Sequence, residues 1–169
     1  KSKKNIKKIN HKIKPIFIIG VPRCGSTLVE KIIASGTKFI PTGEEVGVIS
    51  TFVKQKLIKK ESLKLKIEDF QIKLSEKYKQ KRLINEKNNF TFTDKTLDNF
   101  FFLGLIKKIF PQAKVINCQR NPLASIMSIL KNNLGDVSWA HNIEHIFSYF
   151  DRGWCRDCTY LFSSMYSHY

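Results

Sequence analysis

The chain has 169 residues, is 42% hydrophobic and carries a net charge of +16, which allows one sizeable core and is short for two independent domains. Of its 30 basic residues 25 are lysine, crowded into the first 14 positions and into 54–81, where they alternate with Leu, Ile and Glu as on a solvated helix face. That pattern disfavours a dedicated nucleic-acid surface, and the four scattered cysteines at 24, 118, 155 and 158 exclude a disulfide scaffold.

No signal-peptide pattern opens the chain, and no apolar run approaches the roughly 20 residues that span a bilayer. A soluble protein of the reducing cytoplasm is expected, with neither nucleic acid nor membrane as partner. Residues 1–14 form a basic tail without an initiator methionine, so a longer protein is expected, and the domain proper is 15–169.

Pro15 to Gly20 is a short apolar run with β-branched residues ending in glycine, which reads as a buried parallel strand. From Ser26, Leu28, Val29, Ile32 and Ile33 recur at helical spacing, and Gly36 stands where a C-cap would close that helix. Residues 46–82 read as one or two lysine-rich amphipathic helices forming an outer layer. Phe90 to Thr93 alternates as a short strand, Asn99 to Phe110 is an apolar helix, and Ala113 to Cys118 is a second buried strand. A further helix runs to about Asn133. Strands alternating with helices in this order predict an α/β layered fold with a central parallel sheet. Such sheets bind ligands where the strands open into loops at their C-terminal ends, and Arg23 and Arg120 both follow strands.

Gly20-Val-Pro-Arg-Cys-Gly25-Ser26-Thr27 has the glycine spacing of a phosphate loop, in which backbone N–H groups converge on anionic oxygens at a helix N-terminus. Where a nucleotide triphosphatase places lysine, Ser26 stands, and the only cation lies upstream at Arg23. No aspartate closes the strand Val115 to Cys118 either, so the parts that hold Mg²⁺ and a triphosphate are lacking.

Pro22-Arg-Cys-Gly-Ser-Thr-Leu-Val-Glu30 resembles the Pro-Arg-Ser-Gly-Thr-Thr-Leu loop with which sulfotransferases bind the 5′-phosphosulfate of 3′-phosphoadenosine 5′-phosphosulfate (PAPS). Cys24 and Ser26 are the departures, and Cys24 removes one hydroxyl donor. Further along, Val115-Ile-Asn-Cys-Gln-Arg120-Asn-Pro-Leu-Ala-Ser-Ile-Met-Ser128 resembles the family's 3′-phosphate motif, an arginine at a strand end and a serine two turns into the next helix. Ser125, one turn nearer, competes with Ser128. The resemblance implies a P-loop NTPase-like three-layer fold whose C-terminal part is missing from the chain. It also implies PAPS as co-substrate without a metal, and binding through Arg23, Cys24, Gly25, Ser26, Thr27, Arg120 and Ser128.

Transfer of a sulfuryl group to a hydroxyl needs a base for the acceptor's proton and a cation for the departing phosphate. Thr42-Gly43-Glu44-Glu45 is similar to the Gly-Glu segment of protein-tyrosine sulfotransferases and related bacterial enzymes, which makes Glu44 the expected base and Glu45 its fallback. Thr93-Asp94-Lys95 resembles the family's Asp-Lys segment, which makes Lys95 the cation, with Arg23 sharing the leaving-group charge. On the same resemblance the acceptor is a tyrosine or sugar hydroxyl, and bacterial relatives carry tetratricopeptide repeats upstream.

Lesser features are a C-x-x-C pair, Cys155 with Cys158, and His141 with His145 on one expected helix face, whose spacing matches no common zinc finger. Tyr149 to Tyr169, with Arg156-Asp157-Cys158, resembles the family's tyrosine-rich helix. Two other functions stay open at this point: a nucleotide-binding module without turnover, and a basic RNA-binding piece that rests on charge alone.

Overall fold

Ile16 to Ile19 are β-branched or aromatic and fit a pleated strand covered on both faces. In the computed structural model, which describes residues 13–58, 67–84, 90–132 and 137–153, they lie in strand β1, Lys14–Gly20. Phe17 and Ile18 have no exposed surface. The described elements continue as α1 (Ser26–Ala34), α2 (Val48–Ile58), α3 (Ile67–Gln80), β2 (Thr91–Asp94), a 3-10 turn (Leu97–Phe102) and α4 (Leu103–Ile109). Strand β3 (Lys114–Cys118), α5 (Pro122–Asn132), a second 3-10 turn (Ser138–His141) and α6 (Ile143–Gly153) complete them.

The architecture is α/β, with a three-stranded parallel sheet in the order β2-β1-β3 flanked by helices. Register is fixed between β1 and β2 by the pairs Lys14 with Thr91 through Phe17 with Asp94. The central place of β1 explains its burial. It also corrects the expectation for 113–118: β3 has a single neighbour among the described strands and leaves Lys114 and Asn117 exposed, so only its last residue, Cys118, is buried.

The described residues group into two units. The first takes 13–19 and 26–117 and holds the sheet's aromatic core, in which Tyr78 stacks obliquely on Phe92 at 4.7 Å and reaches Phe110 at 6.2 Å. Helices α2 and α3 pack together through Phe52 edge-on to Phe70. Their lysines are not all solvated: Lys56 is buried, with its ammonium 6.0 Å from the centre of the Phe52 ring. The second unit takes 20–25 and 118–153, where Trp139 stacks on Tyr149 at 4.0 Å over a core that includes Ile126, Ile129 and Ile146.

Two local expectations change, and the burial of α1 is a finding beside them. Helix α1 ends at Ala34 without a left-handed Gly36; Ser35 closes it, with its N–H on the Lys31 carbonyl and its hydroxyl on that of Ile32. The helix expected over 99–110 begins as the 3-10 turn, because Asp94 captures the Thr96 N–H and the Asn99 side chain and tightens the chain there. Most tellingly, α1 does not turn its apolar row inward: Leu28 and Ile32 are 64% and 61% exposed, while Ser26 and Glu30 are buried.

Candidate functional site

Strand β1 leaves the sheet through Gly20, at φ 149°. A Cβ there would lie 2.5 Å from the Cys118 carbonyl oxygen and 2.8 Å from Cys24 Sγ, so no larger residue fits. The loop then folds on itself, with the Cys24 N–H donating to the Val21 carbonyl at 3.2 Å, and Arg23 and Gly25 take left-handed φ of 67° and 96°. Alternating backbone hand of this kind gathers N–H groups into an anion-binding concavity. Helix α1 begins at once with Ser26 and has no acidic residue in its first turn.

Within the second unit this loop meets the segment after β3. Arg23 Nε donates to Ser128 Oγ at 2.9 Å, and Arg120 Nη1 donates to the Arg23 carbonyl at 3.3 Å. Asn121 caps α5 by accepting the Ala124 N–H, with Pro122 as the first helical residue, which holds Arg120 at the helix mouth. Asn132 donates to the Ser128 carbonyl and hydroxyl from one turn on. Of the two competing serines, Ser128 bonds Arg23 rather than Arg120, and Ser125 is fully buried. Cys24 turns inward to Cys118, and their contact, together with burial, pushes the Cys118 thiol up from its ordinary value. Thr27 stays exposed.

The acidic turn and the lysine lie in the first unit. Gly43 crosses β2 so closely that a Cβ would collide with the Thr93 carbonyl oxygen. Glu44 follows at φ 46°, a left-handed conformation that costs a residue with a Cβ roughly 1–2 kcal/mol. Its backbone is held on both sides: its N–H donates to Glu30 Oε1 at 3.1 Å, and its carbonyl accepts the Lys95 N–H at 2.8 Å. Lys95 is buried, and its ammonium meets the exposed Glu45 carboxylate at 3.3 Å. The structure thus brings Glu44, Glu45 and Lys95 together, pairing the lysine's side chain with Glu45 and its backbone with Glu44.

Two parts of this arrangement escaped the sequence reading. Glu30 is one; its signal was an acid inside an apolar helix pattern. The other is a buried network around Asp94, which accepts from the Tyr78 hydroxyl at 2.7 Å, from the Asn99 side chain at 3.0 Å and from the Thr96 N–H at 3.0 Å. Burial raises the Asp94 carboxyl above its ordinary value although these donors favour the carboxylate, and burial followed by the Asp94 charge raises the Tyr78 phenol.

A carboxyl raised in the folded state binds its proton more tightly folded than unfolded. Its stabilising contribution is complete below the unfolded value of about 3.9 and is lost as pH rises through the higher folded value. Asp94→Asn should therefore flatten the pH dependence: the Tm of the native chain falls relative to the variant as pH rises through and above the usual carboxyl range. Parallel Tm profiles for the two proteins would refute this.

His141 and His145 do not share a helix; the first ends the 3-10 turn and the second lies in α6. Cys155, Cys158 and the tyrosine-rich stretch beyond Gly153 lie outside the described residues, as does most of the basic tail. Among the described residues no group of three or more His, Cys, Asp or Glu side chains is placed to hold a metal, and no helix is long and apolar enough to cross a membrane.

The sequence model of the sulfotransferase family matches residues 15–167, and the chain belongs to that family. It is also similar to an uncharacterized protein of Aquifex aeolicus (strain VF5), 32% identical over 147 residues. That match covers 79% of this chain and 19% of the Aquifex protein, so the chain spans about a fifth of the relative's length.

Proposed function

We propose that the chain carries the donor-binding and acceptor-activating part of an enzyme that moves a sulfuryl group from PAPS to a hydroxyl of a tyrosine or a carbohydrate. The observation that carries this reading is the meeting of Arg23 with Arg120 and Ser128, about 100 positions further along the chain, at the mouth of a glycine-bounded loop. A cluster of two guanidinium groups and a hydroxyl suits a doubly phosphorylated nucleoside. Arg23 and the backbone from Cys24 to Thr27 take the 5′-phosphosulfate, and Arg120 with Ser128 takes the 3′-phosphate.

In the reaction the acceptor oxygen bonds to sulfur as the bond from sulfur to the bridging oxygen breaks. The electron pair leaves on the 5′-phosphate, giving 3′-phosphoadenosine 5′-phosphate (PAP). Glu44 takes the acceptor's proton, while Lys95 and Arg23 offset the charge on the bridging oxygen. The scheme calls on no metal, nucleic acid or membrane. We place the protein in a reducing cytoplasm, in keeping with four cysteines too few and too scattered for a disulfide scaffold, and we propose tetratricopeptide repeats upstream in the full-length protein.

Calorimetry with PAP tests the donor site. Saturable binding is expected, weakened about 10- to 100-fold in Arg120→Ala, in keeping with the loss of hydrogen bonds to a charged group. Absence of saturable binding, or binding indifferent to Arg120, would overturn the proposal.

A further inference from the structure

A carboxylate is expensive to bury, by several kcal/mol after relaxation, unless donors surround it. Glu30 is 3% exposed in the middle of α1, where the apolar pattern would have placed Leu28 or Ile32 instead. Its Oε1 accepts two hydrogen bonds from distant segments: the Thr93 hydroxyl at 2.6 Å and the Glu44 N–H at 3.1 Å. The Thr93 oxygen in turn accepts the Gly43 N–H at 3.2 Å, and the Thr93 N–H donates to the Pro41 carbonyl at 3.0 Å. One buried oxygen therefore ties α1 to β2 and to the turn that carries Glu44.

We infer that Glu30 is a positioning residue for Glu44 and Lys95: its carboxylate holds Glu44 in the left-handed conformation from which Glu44 grips the Lys95 backbone. This rests on the reading that Glu44 takes the acceptor's proton. The physical reason lies in the turn itself. At φ 46° Glu44 is in a conformation that its own Cβ resists, and the charge-assisted bond from its N–H offsets that cost. Without the acceptor, the turn relaxes toward negative φ and releases the bond between the Glu44 carbonyl and the Lys95 N–H. The orientation of α1 has the same origin, since turning Leu28 and Ile32 inward would carry Glu30 away from both donors.

The test uses the full-length protein and three variants. Glu30→Ala removes the acceptor, Glu30→Gln keeps an oxygen that can take both bonds, and Thr93→Val cuts the relay at nearly constant shape. Turnover is read as PAP released from PAPS, with a tyrosine-containing peptide or a glucosamine oligosaccharide as acceptor. Affinity is read by calorimetry with PAP, and the turn by the NMR signals of the Glu44 and Lys95 amides. Glu30→Ala should lower kcat about 10- to 100-fold, the scale set by a misplacement of about 1 Å, and leave the PAP dissociation constant within about twofold. Glu30→Gln should restore most of kcat, and Thr93→Val should fall between. Both amide signals should move in Glu30→Ala and stay in Glu30→Gln.

A Glu30→Ala protein with a lower Tm but unchanged kcat and amide signals would overturn the inference. So would a Gln variant as impaired as the Ala variant. If Glu30→Ala does not fold, Glu30→Gln and Thr93→Val decide by the same measures. Should the native protein bind PAP yet never turn over, the catalytic reading fails and Glu30 is judged by the amide signals alone: movement in Glu30→Ala sustains its hold on the turn, and stillness removes it.

Discussion

Replacing Glu44 by Gln is expected to lower turnover about 100- to 10,000-fold while PAP binds as before. The substitution is isosteric, keeps the backbone N–H that bonds Glu30 and the carbonyl that receives Lys95, and removes only the ability to take a proton. Glu45→Gln serves as its partner experiment. Glu45 meets the buried Lys95 ammonium from a largely exposed position, where water screens its side of the pair and can take its place, so its loss should cost about tenfold at most. If Glu45→Gln abolishes turnover and Glu44→Gln does not, the base is the neighbouring carboxylate and the assignment moves by one residue.

Arg23→Ala should be nearly as severe, lowering kcat/KM for PAPS about a thousandfold or more. Two losses combine: the hydrogen bonds to the bound phosphosulfate, and the stabilisation of charge that grows on the bridging oxygen, which in comparable sites is worth roughly 100- to 1,000-fold. Arg23→Lys keeps the charge but not the Nε donor that reaches Ser128, so it should recover only part of the activity. Arg82 supplies the control, because it too is an arginine at left-handed φ, 59°, but stands in the turn after α3. Arg82→Ala should leave kcat/KM within about twofold, as for surface substitutions in general. Equal losses at both arginines would show that the effect is one of general charge.

Much of the fold could be read before any coordinates, for a local reason. β1, β2 and β3 are short runs of β-branched and aromatic residues bounded by Gly, Asp or Pro-bearing loops, and such punctuation is written in consecutive residues. The glycine-bounded loop after β1 and the turn that carries Arg120 were legible on the same ground. What could not be read depends on partners far along the chain. Hydrophobic spacing marked Leu28 and Ile32 as a row on α1, yet the residue α1 buries beside β2 is Glu30, bonded to Thr93 and Glu44. Likewise nothing near Cys24 announces Cys118, and nothing near Asp94 announces that Tyr78 lies under it. The single neighbour of β3 among the described strands is a property of the sheet's order, which spacing within one strand does not encode.

The two side chains on which the proposed chemistry most depends, Arg23 and Glu44, both sit at backbone angles that glycine adopts freely. Selection for heat resistance alone would therefore drift toward glycine at 23 and 44. Its winners would be sturdier molecules stripped of an anion-gripping arm and a proton acceptor, an instance of durability and chemistry pulling one polypeptide in opposite directions.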